Sequence, residues 1–533
     1  MDFERITMPN GADRSGVGPT KIYASATGTE NLSDSVDHNV AQQRAVWDQS
    51  AVDPVLAKKM DMVNAAIEEI GMTKWHWKLF FLNGFGYAVD SLLIVIQSIT
   101  QPVITREYGN PHPPLAGISF ASQIGMLVGA AAWGLTADVI GRKLAFNSSL
   151  FICAGFVLVA GAMPSYISFA SMVAFYSAAA GGGYIIDATN LHEFLPRSHQ
   201  WVVTFMSVWV PIGYAVTGLL AWAFLSNFSC APDATPATCQ RADNWGWRYL
   251  HFTCGGLVFL LSLTRIFVIK MEQTPRWLIS QNRDEEVYAQ LSALAIKYDR
   301  PFVLKHGALQ EQGQVLHSEK SVWSSLRLKK HFAGLFETKL LTYSTLMIFA
   351  NWFVVGTVSP LYQVFLPYYL ESRGVATGQQ SSDYITWRNY AINQVATLAG
   401  PCIAAVLVEV PHIGRKGTLA IGATATMALQ FGYTQIKTPA QNLGVSCAVS
   451  AAQMIYYGVI YAYTPEILPS AHRATGYGCC VILNRIGGIV GVAVGSYADV
   501  QTTTPLFVCA GLFGLLIVLS LALPFESRGR GSV

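Results

Sequence analysis

Apolar segments of about twenty residues recur along this chain, and a helix of that length crosses a bilayer core about 30 Å thick. Charged residues make up 13% of the chain, about half of their share in an average soluble protein. Together these two features predict an all-α membrane protein with twelve transmembrane helices. We expect the helices near residues 78–104, 115–137, 142–163, 167–195, 201–225, 248–269, 340–359, 386–408, 417–435, 442–463, 474–496 and 504–523.

A long polar segment divides the predicted helices into two sets of six. Near the N-terminus, the apolar spacing of residues 54–72 predicts a short amphipathic helix that lies near the membrane surface. No apolar core of a cleavable signal peptide precedes the first span, which is therefore expected to act as the insertion signal. The predicted organisation is a mostly disordered cytoplasmic segment 1–74, a six-helix half 75–269, a cytoplasmic linker 270–338, a second six-helix half 339–523 and a cytoplasmic tail 524–533.

The orientation follows from the lysines and arginines, of which the linker alone carries ten. The short turns at Arg142 and Arg415 lie on the same side of the predicted bundle. By the positive-inside rule that side is cytoplasmic, together with both termini, and the plasma membrane is the expected location. Cys230 and Cys239 fall in one polar loop on the opposite side, where a disulfide and two free thiols are the alternatives. No cysteine or histidine spacing indicates a metal site.

Two motifs repeat along the chain at one common offset. Gly141-Arg142-Lys143 recurs 273 residues later as Gly414-Arg415-Lys416, and Glu193-Phe-Leu-Pro recurs at the same offset as Glu466-Ile-Leu-Pro. A shared offset indicates duplicated halves, and parallel halves with the solute site between them are a known plan for transporters.

The sequence contains no motif of an enzyme or of a nucleic-acid-binding protein. It has no phosphate-binding GxxxxGK loop, and none of its serines lies in a nucleophile-elbow context. It also lacks a basic stripe with interleaved aromatic residues. We therefore expect a protein that is not an enzyme, uses no cofactor and binds no nucleic acid.

Four segments resemble signature elements of the major facilitator superfamily, and of its sugar porters in particular. They are Gly134-Leu-Thr-Ala-Asp138-Val-Ile-Gly141-Arg142-Lys143, Glu272-Gln-Thr-Pro-Arg276-Trp-Leu, Thr464-Pro-Glu466 with Arg473 and Gly476, and Glu526-Ser-Arg-Gly-Arg530. The sequences of Trp75–Asp90, Gly181–Pro196 and Val408–Lys416 are similar to the synaptic-vesicle-glycoprotein-like branch, and their detail resembles filamentous-fungal members. The resemblance implies the major facilitator fold and transport of a small organic solute.

The chain departs from the superfamily's pattern in three places. Val173 and Ala174 stand where many members have an arginine early in span four that is implicated in proton coupling. The glutamine pattern of sugar porters in span seven is not evident, which argues against a hexose. The second signature turn has its acid at Glu409, two residues earlier than the repeat predicts from Asp138.

Ionisable side chains deep in the predicted spans are the first candidates for mechanism. A charge at the bilayer centre costs about 2.5–3.5 kcal/mol by insertion scales, so such residues usually face a cavity or a partner. Asp90 and Asp187 are candidates for proton coupling or solute binding, and Arg485 is a candidate for binding negative charge; structural ion pairs are the alternative. Polar or aromatic side chains that are candidates for shaping the solute site include Asn351, Gln453, Asn484, Trp352, Tyr456, Tyr457 and Tyr461.

The motif residues are candidates for a conformational latch rather than for solute binding. Oppositely charged side chains at the helix ends can hold two helices together in one state by charge-assisted hydrogen bonds. The predicted latch comprises Gly134, Asp138, Gly141, Arg142, Glu193, Glu272, Arg276, Glu409, Arg415, Glu466 and Arg473.

The sequence therefore predicts a secondary active transporter that works by alternating access. The expected cargo is a small polar organic solute, either a sugar-like compound or an organic acid, and we expect coupling to protons. The expected surroundings are the lipid bilayer, with the protein as a monomer. An exporter of a secondary metabolite or drug, and a non-transporting nutrient sensor, are the alternatives.

Overall fold

The structure analysed is a computed structural model. It describes residues 54–109, 117–140, 142–181, 191–268, 273–315, 332–363, 366, 369–370, 382–468, 473–497, 504–524 and 526.

The first half of the bundle contains six spans. They are α2 (Lys74–Tyr108), α3 (Gly117–Ile140), α4 (Arg142–Ala162), α5 (Tyr166–Ala180), the pair α6 (Trp201–Met206) and α7 (Trp209–Leu225), and α8 (Gly246–Leu263). A short π-helical stretch, Thr264–Val268, continues α8. Before this half lies α1 (Pro54–Ile70), and after it the linker contains α9 (Pro275–Ser280) and α10 (Asp284–Lys297).

The second half also contains six spans. They are α11 (Lys339–Gln363), the pair α12 (Asp383–Ala396) and α13 (Ala399–Glu409), α14 (Gly414–Tyr433), α15 (Pro439–Ile467), α16 (Arg473–Tyr497) and α17 (Thr504–Leu521). Among the described residues, eight spans are long enough and apolar enough to cross a membrane, judged by length and composition alone. The helices α3, α4 and α5 contain shorter apolar stretches. With α14 these make twelve, which is the all-α architecture that the sequence predicts.

Glycines let particular helices approach closely within each half. A Cβ atom at Gly213 of α7 would lie 2.2 Å from the carbonyl oxygen of Ala88 in α2. In the second half, a Cβ atom at Gly356 of α11 would lie 2.1 Å from the carbonyl oxygen of Asn484 in α16. No larger side chain fits at such contacts, so small residues set how closely these helices pack. The contact at Gly356 fixes the position of α16, which carries Arg485.

The end of the bundle near the loop between α7 and α8 is called the disulfide side here, because Cys230 and Cys239 are bonded to each other in that loop. Glu107, near the end of α2, accepts hydrogen bonds from Arg248 Nη2 at 2.7 Å and Nη1 at 2.9 Å, and both side chains are buried. Asn244 also donates to Glu107, at 3.2 Å. These bonds tie the disulfide loop to α2 within the first half.

The opposite end of the bundle, called the linker side, carries a small apolar core of its own. Val63, Ile67 and Ile70 of α1 pack in one cluster with Leu278 of α9 and Leu291 of α10, and all five are nearly inaccessible. The helix predicted within residues 54–72 is thus present, but its apolar face packs against protein and not against lipid. The apolar face of α1 is covered by the linker, because the same helical spacing fits a lipid surface and a protein surface equally well.

Candidate solute site and its closures

A cavity lies between the two halves of the bundle. Residues of both halves line it, so movement of one half against the other changes its shape and its access. The polar and aromatic lining includes Gln123, Ser207 and Tyr214 from the first half, and Ser359, Gln363, Tyr457, Tyr461, Asn484 and Arg485 from the second.

Arg485 of α16 is the charged residue that lines this cavity. Its side chain is only 7% exposed, and it interacts electrostatically with Tyr214 and Tyr461. Among the described residues, no carboxylate lies within 4.0 Å of its guanidinium, and its Nε atom has no hydrogen-bond partner. The cavity therefore holds a desolvated positive charge that no described carboxylate neutralises.

Asp90 of α2 is buried, with 3% of its side chain exposed, but it does not line the cavity. It interacts electrostatically with Tyr461, the same residue that Arg485 influences from the other half. The ring of Tyr461 also contacts Tyr87, one turn before Asp90, with a centroid separation of 6.3 Å. Tyr461 is therefore coupled electrostatically to both the buried carboxylate and the cavity cation.

The three predicted amide residues occupy different positions. Asn484 lines the cavity and donates to the Trp352 carbonyl at 3.3 Å. Asn351 does not line it: its amide nitrogen donates to the Met347 carbonyl within α11, and its oxygen accepts from Tyr456 of α15 at 2.5 Å, so both groups are already used in packing. Gln453 also lies outside the lining, where it accepts from Gln363 at 3.5 Å.

Arg415 forms the centre of the contacts on the linker side. Its guanidinium pairs with Glu466 of α15 and donates at 2.8 Å to Thr204 Oγ1 of α6, which belongs to the other half. The Glu526 carboxylate accepts from the backbone nitrogens of Arg415 and Lys416 at 2.8 and 3.0 Å. These bonds join the second signature turn, the motif after span ten and the C-terminal motif in one cluster.

The cavity is also narrow just inside this cluster. Ser207 and Gly458 both line it, and a Cβ atom at Gly458 would lie 2.7 Å from Ser207 Oγ. The two halves therefore touch at this point, between the cavity and the linker side.

The structure gives Glu409 no part in the cluster. It is the last residue of α13 and is exposed, and no ion pair among the described residues includes it. Glu193 is half-buried, and it lies shortly after residues 182–190, which the structure does not describe. The remaining predicted positions lie outside the residues, or the side chains, that the structure describes: Gly134, Asp138, Gly141, Arg142, Asp187, Glu272, Arg276 and Arg473.

Sequence reasoning missed several lining residues. Gln123, Ser207 and Tyr214 line the cavity from the first half, and none was a predicted site residue. The available signal was a polar side chain inside an apolar span, which does not tell the cavity face from a packing face. Tyr457 and Tyr461 were among the candidate aromatic residues and do line it.

Comparison with known proteins decides the family. Residues 79–382 match the profile described as Major Facilitator Superfamily. The chain belongs to this superfamily. It is 38% identical over 492 residues to the major facilitator-type transporter hxnZ of Emericella nidulans. That alignment covers 89% of this chain and 88% of the relative. The chain is 36% identical over 502 residues to MFS siderochrome iron transporter 1 of Ceriporiopsis subvermispora, with 92% and 94% covered.

The fold of the superfamily is found in solved structures as well. The partially occluded inward-open structure of the xylose transporter XylE from E. coli aligns with a TM-score of 0.60 at 17% identity, over 86% of this chain and all of that one. The predicted fold and superfamily are thereby confirmed. The chain is a membrane transporter of the major facilitator superfamily and not an enzyme.

Proposed function

We propose that this superfamily member is a secondary active transporter that moves a small organic acid anion by alternating access. The observation that carries the proposal is Arg485, a buried cation that lines the cavity with no described carboxylate beside it. A buried charge without a partner is costly, and a planar guanidinium suits the two oxygens of a carboxylate. A bound acid would supply the missing negative charge.

The chemistry of the lining favours an organic acid over a sugar-like compound, the other predicted class. Tyr214, Tyr461 and Asn484 surround the cation with hydroxyl and amide groups that bind the polar parts of an acid. A sugar offers only neutral hydroxyls and would leave the Arg485 charge unneutralised. One relative is named as a siderochrome iron transporter and the solved neighbour is a xylose transporter, so the relatives do not agree on one solute.

Proton coupling is assigned to Asp90 in this proposal. Asp90 is buried, and both Asp90 and Arg485 interact electrostatically with Tyr461. These features support coupling between a proton site at Asp90 and the solute site at Arg485. One proton moving with one monocarboxylate makes the transported pair neutral. By the positive-inside rule, the linker side faces the cytoplasm in this proposal. The protein acts as a monomer in the plasma membrane.

The test pairs each acid with its neutral amide. Purified protein in lipid nanodiscs is mixed with lactate, lactamide, benzoate, benzamide or xylose, and binding is measured by thermal shift and by displacement of a radiolabelled acid. We expect an acid to bind and its amide to fail. Arg485→Gln should weaken acid binding about 10- to 100-fold, since a hydrogen bond to a charged group contributes about 1.5–3 kcal/mol.

Arg388→Gln is the matched control, because Arg388 lies in α12, donates to Asn389 at 3.1 Å and does not line the cavity. It should bind acids as the parent does. Equal acid binding by Arg485→Gln and the parent would refute the assigned role of Arg485, and binding of xylose without any acid would favour the sugar-like class.

A further inference from the structure

An ion pair joins the two halves of the bundle on the disulfide side. Arg106, near the end of α2, donates to both carboxylate oxygens of Asp383 in α12, with Nη1 to Oδ2 at 2.6 Å and Nη2 to Oδ1 at 3.0 Å. The two side chains are 11% and 17% exposed. The pair is therefore bidentate, mostly shielded from water, and the only described ion pair on this side that joins the first half to the second.

Neighbouring contacts join the same two halves. The ring of Trp222 in α7 meets Tyr384 in α12 edge to face, with centroids 5.8 Å apart. Deeper in the bundle, a Cβ atom at Gly218 of α7 would lie 3.2 Å from the Gln394 side chain of α12. The halves are thus in contact from the Arg106–Asp383 pair inward along α7 and α12.

We infer that the Arg106–Asp383 pair is the gate that must break whenever the cavity opens to the disulfide side. The inference rests on the proposed alternating access, in which the two mouths open in turn. A charge-assisted bidentate bond is directional and strong enough to favour the closed mouth, yet it can be exchanged for water at a partly exposed site. Arg106 and Asp383 are accordingly positioning residues for transport and do not contact the solute.

Each partner keeps some stabilisation after the pair breaks. Arg106 Nη1 also donates to the Cys230 carbonyl at 2.7 Å, in the loop that the disulfide closes and that the Glu107–Arg248 pair ties to α2. Asp383 lies in the first turn of α12, where the helix dipole favours a negative charge. Opening therefore leaves neither charge without compensation, as a reversible gate requires.

The two ends of the cavity then follow one plan. On the linker side, Arg415 of the second half donates to Thr204 of the first. On the disulfide side, Arg106 of the first half donates to Asp383 of the second. Each mouth is closed by an arginine that reaches across the interface while a second contact holds that arginine to its own half.

The test reads the width of the mouth directly. Nitroxide labels are attached through noncanonical amino acids that replace Ile167 and Lys437, and the labelled full chain is placed in nanodiscs. Both positions are exposed and lie on the disulfide side, one in each half. Pulsed electron–electron double resonance gives the distribution of distances between the two nitroxide labels. Asp383→Asn and Arg106→Gln should each raise the ratio of open to closed mouths about tenfold, the equivalent of about 1.4 kcal/mol. The double variant should resemble either single one, because both remove the same bond.

Arg283→Gln is the matched control: it removes the ion pair with Glu286 in the linker and should leave the distribution unchanged. Unchanged distributions in both Arg106→Gln and Asp383→Asn would overturn the gate, and so would additive effects in the double variant. Should Arg106→Gln fail to fold, Asp383→Asn alone decides. The readout needs no substrate, so a failure to bind acids would refute the proposed solute and leave the gate standing.

Discussion

Replacement of Lys59 by methionine tests how α1 is held on the linker. The Lys59 side chain is fully buried, and its Nζ donates to Asp284 Oδ2 at 2.5 Å. The other oxygen of Asp284 has no hydrogen-bond partner among the described residues, so Lys59 is the main compensation for this buried carboxylate. Breaking a buried pair by removing one partner typically costs about 3–5 kcal/mol.

That cost is comparable with the apolar contribution to docking. Val63, Ile67 and Ile70 are each at most 4% exposed, and burial of such a side chain contributes about 1.5–3 kcal/mol, or roughly 5–9 kcal/mol for the three. Loss of the ion pair should therefore leave α1 docked on average but let it open far more often. We expect hydrogen exchange of the α1 amides to accelerate by about 10²- to 10⁴-fold.

Two further variants make the result decisive. Lys58→Met removes a neighbouring lysine that is exposed, and should leave exchange in α1 unchanged. Lys59→Met combined with Asp284→Leu should restore protection, since an apolar pair can replace a buried ion pair at little cost. The reasoning would be refuted by normal protection in Lys59→Met, or by a double variant that exchanges as fast as the single one.

Three further outcomes follow from the buried charges of the bundle. Asp90→Asn should reach the membrane and still exchange solute at equilibrium but lose accumulation driven by a proton gradient; uptake at two pH values checks this, and full proton-coupled uptake would contradict it. Arg415→Gln leaves Glu466 buried without its partner and should open the linker side, at a cost of about 3–5 kcal/mol in that closed state, measured with spin labels on that side. Arg485→Met should raise the melting temperature of the solute-free protein and abolish its stabilisation by acids, and an unchanged melting temperature would indicate that the cation is already compensated.

The spans could be predicted because a long apolar segment in a chain of this composition has few other uses. The structure places α6 and α7 over Trp201–Leu225, where residues 201–225 were expected, and α4 over Arg142–Ala162, where 142–163 were expected. The contact between Arg415 and Glu466 joins two of the motifs whose common offset revealed the repeat. Sequence reasoning succeeded where one chemical requirement, a hydrocarbon core or a duplicated motif, limited the possible structures.

The face of each helix was much harder to predict. In a membrane bundle both lipid and the protein interior are apolar, so the sequence of a span scarcely marks which side faces the cavity. Asn351 and Asn484 looked equivalent as polar residues in spans, yet Asn484 lines the cavity and Asn351 bonds to Tyr456. The covering of α1 by the linker was not predicted for the related reason that an apolar face does not specify what will cover it.

The case for Arg485 as the solute-binding residue depends on how the other buried cations are compensated. Lys59, Arg248 and Arg415 each pair with a carboxylate, and Arg265 donates to the Leu82 carbonyl at 3.0 Å. Among the buried lysines and arginines that the structure describes, Arg485 alone has neither a carboxylate nor a carbonyl partner and alone lines the cavity. Packing does not require a charge at that position, because a methionine of similar length would fill the same space without the desolvation cost. In the proposed function an anion that enters the cavity accounts for this charge, and the cost of leaving Arg485 uncompensated in the empty protein contributes to the affinity for that anion.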